Sequence, residues 1–121
     1  MKRSVVRIVK IAVVSAFALF AVSCASTKQL YSWYDYQEDY YHYLKNADQK
    51  SMDKLIKTYD KIIAEQKATR GVVPPGIYAD YGYILLEKGK TAEAKEMFAK
   101  EIELYPESEV FIGSILKRFA K

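Results

Sequence analysis

The chain has 121 residues, 50% of them hydrophobic, with eleven tyrosines against a single cysteine and a single histidine. That composition argues against a disordered tail, a disulfide framework and a His/Cys metal cage. The net charge of +4 arises from Lys2, Arg3, Arg7 and Lys10; the remainder is formally neutral, which removes the counterion-release drive toward nucleic acid and the polybasic attraction to anionic lipid.

Those four cations precede an uncharged run, Ile11 to Val22, and together they have the form of a secretory leader over residues 1–23. A spanning helix needs about 20 apolar residues, so a permanent transmembrane anchor is the weaker reading. Ala21 and Ser23, just before Cys24, resemble a lipobox, in which the thiol accepts a diacylglyceryl group and becomes the acylated start of the mature protein. The alternative is ordinary cleavage that leaves a free thiol. The lipid on Cys24 is the only attached group expected, with no other cofactor and no metal. By resemblance to bacterial lipoproteins, Ala25 is not the aspartate that retains many of them in the inner membrane. This implies an outer-membrane anchor and a periplasm-facing domain. Residues 24–30 then form a lipidated tether, in which six residues at about 3.5 Å each reach about 20 Å.

From residue 31 to 121 the apolar residues recur at helical spacing and no alternating stretch is long enough for a strand, so the domain is expected to be all-α. A first helix is predicted over about 32–45, opened by the capping-box form Ser32-x-x-Asp35, and Asn46-Ala47-Asp48 breaks it. A second follows over about 49–68, with Met52, Leu55, Ile56, Tyr59, Ile62 and Ile63 on one stripe. Gly71-Val-Val-Pro-Pro-Gly76 reads as a loop between repeats. A third helix over about 75–88 turns Tyr78, Tyr81, Gly82 and Leu85 inward and ends at a left-handed Gly89. A fourth opens at Thr91, carries Ala94, Met97, Phe98, Ile102 and Tyr105, and stops at Pro106. A fifth over 108–119 has Phe111, Ile112, Ile115 and Phe119 apolar.

Tyr78, Tyr81, Gly82, Leu85, Gly89, Ala94, Phe98 and Pro106 have the offsets of a tetratricopeptide repeat running from residue 75 to 108. Glycine inside a helix costs about 1 kcal/mol relative to alanine, which is explained if Gly82 lets the fourth helix approach at Ala94. Glu101 stands where the repeat usually has a small residue. Helices one and two make a looser earlier unit, giving about two antiparallel hairpins with a C-terminal capping helix. Tyr31-x-Trp33-x-x-Tyr36, Val73-Pro-Pro-Gly76, Gly82, Gly89 and Tyr105-Pro-Glu-Ser108 also resemble the domain-of-unknown-function family 4810 of small bacterial lipoproteins, from about residue 31 to 118. Its members commonly have glycine where this chain has Tyr34. The resemblance implies two companions, a curli-secretion-channel-like lipoprotein and a second small lipoprotein, and supplies no catalytic residues.

On the first predicted helix Asp35, Glu38, Asp39, His42 and Lys45 share one arc and the aromatic residues the other. Trp33, Tyr40, Tyr41 and Leu44 are expected in the core, with Tyr36 and Tyr43 at the border as candidate binding residues. In tetratricopeptide arrays the first helices line the concave side, which adds Asp80, Tyr83, Leu86 and Glu87 to the candidate partner-binding set. His42 beside Asp35 and Asp39 lacks a second His or Cys, so no catalysis is expected. The function expected is a membrane-tethered adaptor that docks envelope proteins in a secretion or assembly complex. The alternatives are a self-assembling structural lipoprotein and a pilotin-like carrier for an outer-membrane pore. Two repeats fall below the usual minimum of about three, so the last helix caps the stack or a partner covers it.

Overall fold

The computed structural model describes residues 1–21 and 27–120. Their regular secondary structure is all helical, with no strand among them: α1 (Lys2–Ala21), α2 (Tyr36–Asn46), α3 (Gln49–Ala64), α4 (Ile77–Glu87), α5 (Thr91–Leu104), a 3₁₀ turn (Pro106–Ser108) and α6 (Glu109–Phe119). The side chains of residues 1–16 are all exposed and take no part in the core. No helix among the described residues is long and apolar enough to cross a membrane. Cys24, with Ser23 and Ala25, lies outside the described residues.

Two helical hairpins, α2 with α3 and α4 with α5, pack side by side, and α6 closes the far end against α4. The first turn of α3 is capped as its sequence predicts: Asp48 accepts a hydrogen bond from the Ser51 amide at 2.7 Å. Leu55, Tyr59 and Ile62 of α3 are fully buried against Val73, Ile77, Tyr78 and Ile84. Behind α4, Leu85 and Leu86 pack on Ala94, Phe98 and Ile112. Gly89, at φ +74°, ends α4 in the left-handed conformation expected of it. Gly82 also has the packing role expected, although the neighbour it admits is the ring of Phe98.

Several boundaries differ from their predicted places, each for a reason outside the local sequence. Ser32 does not cap α2. Its Oγ accepts from the Lys67 and Ala68 amides, both at 3.0 Å, and its backbone pairs with the Gln66 side chain. The same bonds divert the backbone after Ala64, so α3 stops there and not at residue 68. The carbonyls of Gln29 and Leu30 accept from the Thr69 and Arg70 amides, so the last two residues of the segment read as a tether are strapped to the α3–α4 loop. Gly76, at φ +92°, breaks the backbone after Pro75, and α4 therefore begins at Ile77.

Glu101 is the reason that the loop can turn there. It is 1% exposed, and its Oε1 accepts from the Gly76 amide at 2.7 Å. Nearby, the Tyr105 hydroxyl donates to the Val73 carbonyl at 2.7 Å. A small residue at 101 could not reach Gly76, so the departure from the repeat pattern is what holds Pro74-Pro75-Gly76 onto α5. Tyr34, where the resemblance implies glycine, sits at φ +48°. The backbone there keeps the conformation that glycine favours, and the tyrosine is held in it by a hydrogen bond to the Glu65 carbonyl and by the Lys61 ammonium 4.3 Å from its ring centre.

Candidate functional site

The rotation of α2 about its axis decides which side chains are free. Asp39, expected on a solvated arc, is 1% exposed: Thr58 donates to its Oδ2, and Lys54 Nζ lies 2.8 Å from its Oδ1. With that acid turned toward α3, Tyr36, Tyr40 and Tyr43 turn toward α4. Trp33, Tyr41 and Leu44, expected in the core, are at the surface instead, with Tyr41 at 58% and Leu44 at 63% exposure. The cause is the Thr58 and Lys54 pair, which offers a buried carboxylate the two partners it requires. His42 lies 3.7 Å from Glu38, one turn earlier on the same helix.

Four of the six candidate binding residues meet in two pairs across the hairpins. The Tyr36 hydroxyl donates to Asp80 Oδ2 and the Tyr43 hydroxyl to Glu87 Oε2, each at 2.5 Å and each between residues 44 apart. The equal offset means that α2 and α4 run parallel and in register, with the two bonds separated by seven residues, about two helical turns. Between them lies a groove of about 380 Å³, lined by Tyr40, Tyr43, Leu44, Tyr59, Asp80, Tyr83, Ile84 and Glu87.

Leu86, expected on this groove, is not there. At about 100° per residue it stands about 120° around α4 from Asp80, and it is buried with Leu85 against α5 and α6. Tyr83 does line the groove, and its ring meets Phe119 edge-on at 5.6 Å, so it joins the groove to α6. Tyr40, Leu44 and Tyr59, all marked as core by helical spacing, also line the groove, and Tyr59 is the fully buried one. It forms part of the groove wall while its ring stacks on Tyr81 at 5.2 Å and meets Tyr36 at 5.9 Å. Tyr31, Trp33, Tyr36 and Tyr40 continue this aromatic series toward the start of the domain, at centroid spacings of 5.5 to 6.2 Å.

The groove is electronegative. Burial pushes the Asp80 carboxyl up from its ordinary value, against the opposing pull of its bond from Tyr36. The phenols of Tyr36, Tyr43 and Tyr59 are all raised, first by burial and then by the neighbouring carboxylates. The raised values mean that the phenols of Tyr36, Tyr43 and Tyr59 keep their protons at neutral pH and stand as hydrogen-bond donors toward the carboxylates. Among the described residues no group of three or more His, Cys, Asp or Glu side chains is placed to hold a metal ion.

The fold and this face define a small protein of paired helical hairpins with a tyrosine-rich groove between its two leading helices. A family model described as Domain of unknown function (DUF4810) matches residues 30–115, and the chain belongs to that family. No curated protein and no solved structure matches it.

Proposed function

We propose that this protein is a membrane-tethered, tetratricopeptide-like adaptor whose α2–α4 groove docks another protein of the cell envelope, without catalysis. The observation that carries the reading is the in-register pair Tyr36–Asp80 and Tyr43–Glu87, which holds two parallel first helices apart as the walls of one groove. Parallel first helices on a common face are how tetratricopeptide arrays line their ligand side. The offset of 44 exceeds the 34 residues of that repeat because the α3–α4 connection is long. The charged start and uncharged run before Cys24 support a leader and acylation of that thiol, with an outer-membrane anchor and a periplasm-facing domain. Confinement to one membrane face raises the effective concentration of a tethered partner without new contacts. The companion lipoproteins implied by the family resemblance, one of them curli-secretion-channel-like, are the first partners to test.

A photo-crosslinking side chain at Leu44, exposed on the rim, tests the reading in native membranes. A discrete adduct with another envelope protein, lost in Tyr83→Ala/Glu87→Ala, is expected. An adduct only between copies of this chain would favour a self-assembling structural lipoprotein, and mislocalisation of an outer-membrane pore on deletion would favour a pilotin-like carrier. Mass spectrometry of the purified chain should find Cys24 acylated, and Cys24→Ser should release the protein from the membrane.

A further inference from the structure

We propose that the α2–α4 groove receives a basic side chain, an arginine or lysine of the docked protein, with its charge held between Asp80 and Glu87 and its apolar stem laid against the tyrosine rings. The inference rests on the reading of this groove as a docking face and names the chemistry of what enters it.

Three observations carry it. The first is charge. Two carboxylates line the groove and, among the described residues, no lysine, arginine or histidine does. Nearby lysines are engaged elsewhere, Lys54 with Asp39 and Lys88 with Asp53. Each tyrosine bond occupies one carboxylate oxygen, and an ionised carboxylate accepts at about four lone-pair sites, so acceptor capacity remains at both acids.

The second is the buried hydroxyl of Tyr59. The residue is 0% exposed, its hydroxyl has no hydrogen-bond partner among the described residues, and its ring forms part of the groove wall, 5.9 Å from that of Tyr36. A buried polar group left unpaired costs free energy. Among the described residues it adds one more oxygen to a groove wall that carries two carboxylates and no cation. A donor-rich cationic group would satisfy the hydroxyl and lower the cost of the buried Asp80 carboxylate together.

The third is shape. Asp80 and Glu87 are seven residues apart, about 10 Å along α4 at 1.5 Å per residue. Between them Tyr40, Tyr43 and Tyr83 bring aromatic faces to a groove of about 380 Å³. Tyrosine faces attract cations through the ring quadrupole, and a lysine or arginine stem packs well on them.

The test is calorimetric titration of the full chain, in a neutral detergent, with a capped tri-arginine peptide. Saturable one-to-one binding is expected, weakened by salt, with a capped tri-glutamate peptide not binding. Asp80→Asn/Glu87→Gln should bind at least tenfold more weakly, whereas Glu107→Gln/Glu109→Gln, which removes the same charge at the α5–α6 turn, should bind as the wild type does. Tyr59→Phe removes a hydroxyl that bonds nothing, so it should melt no lower than the wild type and yet bind about threefold or more weakly; this variant decides the matter if the carboxylate pair proves unable to fold without its charges. No binding of tri-arginine, unchanged binding to the groove variants, or equal loss in the Glu107/Glu109 control would overturn the proposal. The adaptor reading fails separately: tri-arginine binding with no groove-dependent crosslink in the membrane sinks the adaptor, and a groove-dependent crosslink without tri-arginine binding sinks only the basic side chain.

Discussion

The ring of Phe98 lies against the bare α-carbon of Gly82, so close that a β-carbon built there would stand 2.6 Å from Cε1 and 2.8 Å from Cδ1. Phe98 is almost fully buried and cannot swing into solvent. Gly82→Ala gains about 1 kcal/mol of helix propensity but forces overpacking that costs about 1 to 3 kcal/mol, so a net loss is expected in urea unfolding. Shrinking the neighbour distinguishes this cause from any other: Gly82→Ala should cost less in a Phe98→Leu background than alone.

Leu86 and Tyr83 separate packing from surface on one helix. Leu86→Ala opens a cavity between α4, α5 and α6 and should lose about 2 to 5 kcal/mol. Tyr83→Ala removes a half-buried ring from the groove wall and should lose clearly less. Matched urea denaturation curves check the order; the reverse order would mean that α4 is turned about its axis from the placement described.

Glu101 and Gly76 give a third expectation. Glu101→Ala leaves the Gly76 amide without its acceptor and should lose about 1 to 3 kcal/mol. Glu101→Gln retains an acceptor oxygen and should keep most of that stability. Hydrogen exchange at the Gly76 amide should quicken in the alanine variant and much less in the glutamine one.

Asp80 sets a pH dependence of definite sign. Burial, opposed by the Tyr36 bond, raises its carboxyl above the unfolded value. The folded chain therefore binds the proton more tightly than the unfolded one, and this group lowers stability at neutral pH, a penalty that fades as pH falls through the folded pKa. Asp80→Asn still offers Tyr36 an acceptor. It should be at least as stable as the wild type near pH 7, with the gap closing toward about pH 4 in paired thermal melts.

At the alkaline end, burial and then the Asp60 bond push the Tyr81 phenol up to about 12; burial and then Tyr31 do the same for Tyr105. Between the unfolded value of about 10 and that value the folded chain holds protons that the unfolded chain releases, so stability falls as pH rises. The fall should be shallower in Tyr81→Phe/Tyr105→Phe, as followed by urea midpoints across this range.

Legibility in the sequence followed how much of each element depends on its own residues. The stripe Leu55, Tyr59, Ile62 and the Gly82 and Gly89 positions announced α3 and α4, because apolar spacing and backbone freedom are local properties. α2 is harder, since its tyrosines spread over nearly half its circumference and any of several rotations buries aromatic surface. The rotation adopted is set by Thr58 and Lys54, on another helix, which take in Asp39. Ser32 likewise looked like a cap because its true partners lie 34 to 36 residues away. Tyr36, Tyr43, Asp80 and Glu87 were each legible as candidates, but their pairing across 44 residues was not, and Leu86 was misplaced by treating a whole helix as one face. Tyr59 belongs to both the core and the groove, which no single periodicity expresses.

The bonds from Gln29 and Leu30 to the α3–α4 loop shorten the mooring line. Were Cys24 acylated as proposed, residues 25–28 could span no more than about 14 Å between the lipid and Gln29. The pole of the molecule that bears Ala68, Val73 and Tyr105 would then rest over the headgroups, with the Ala47 and Gly89 turns pointing outward. Since α4 departs from that pole, the groove would stand upright, with Asp80 lower and Glu87 about 10 Å higher. A visiting chain would have to come alongside, descending toward the bilayer, because such an attachment would close the underside to it.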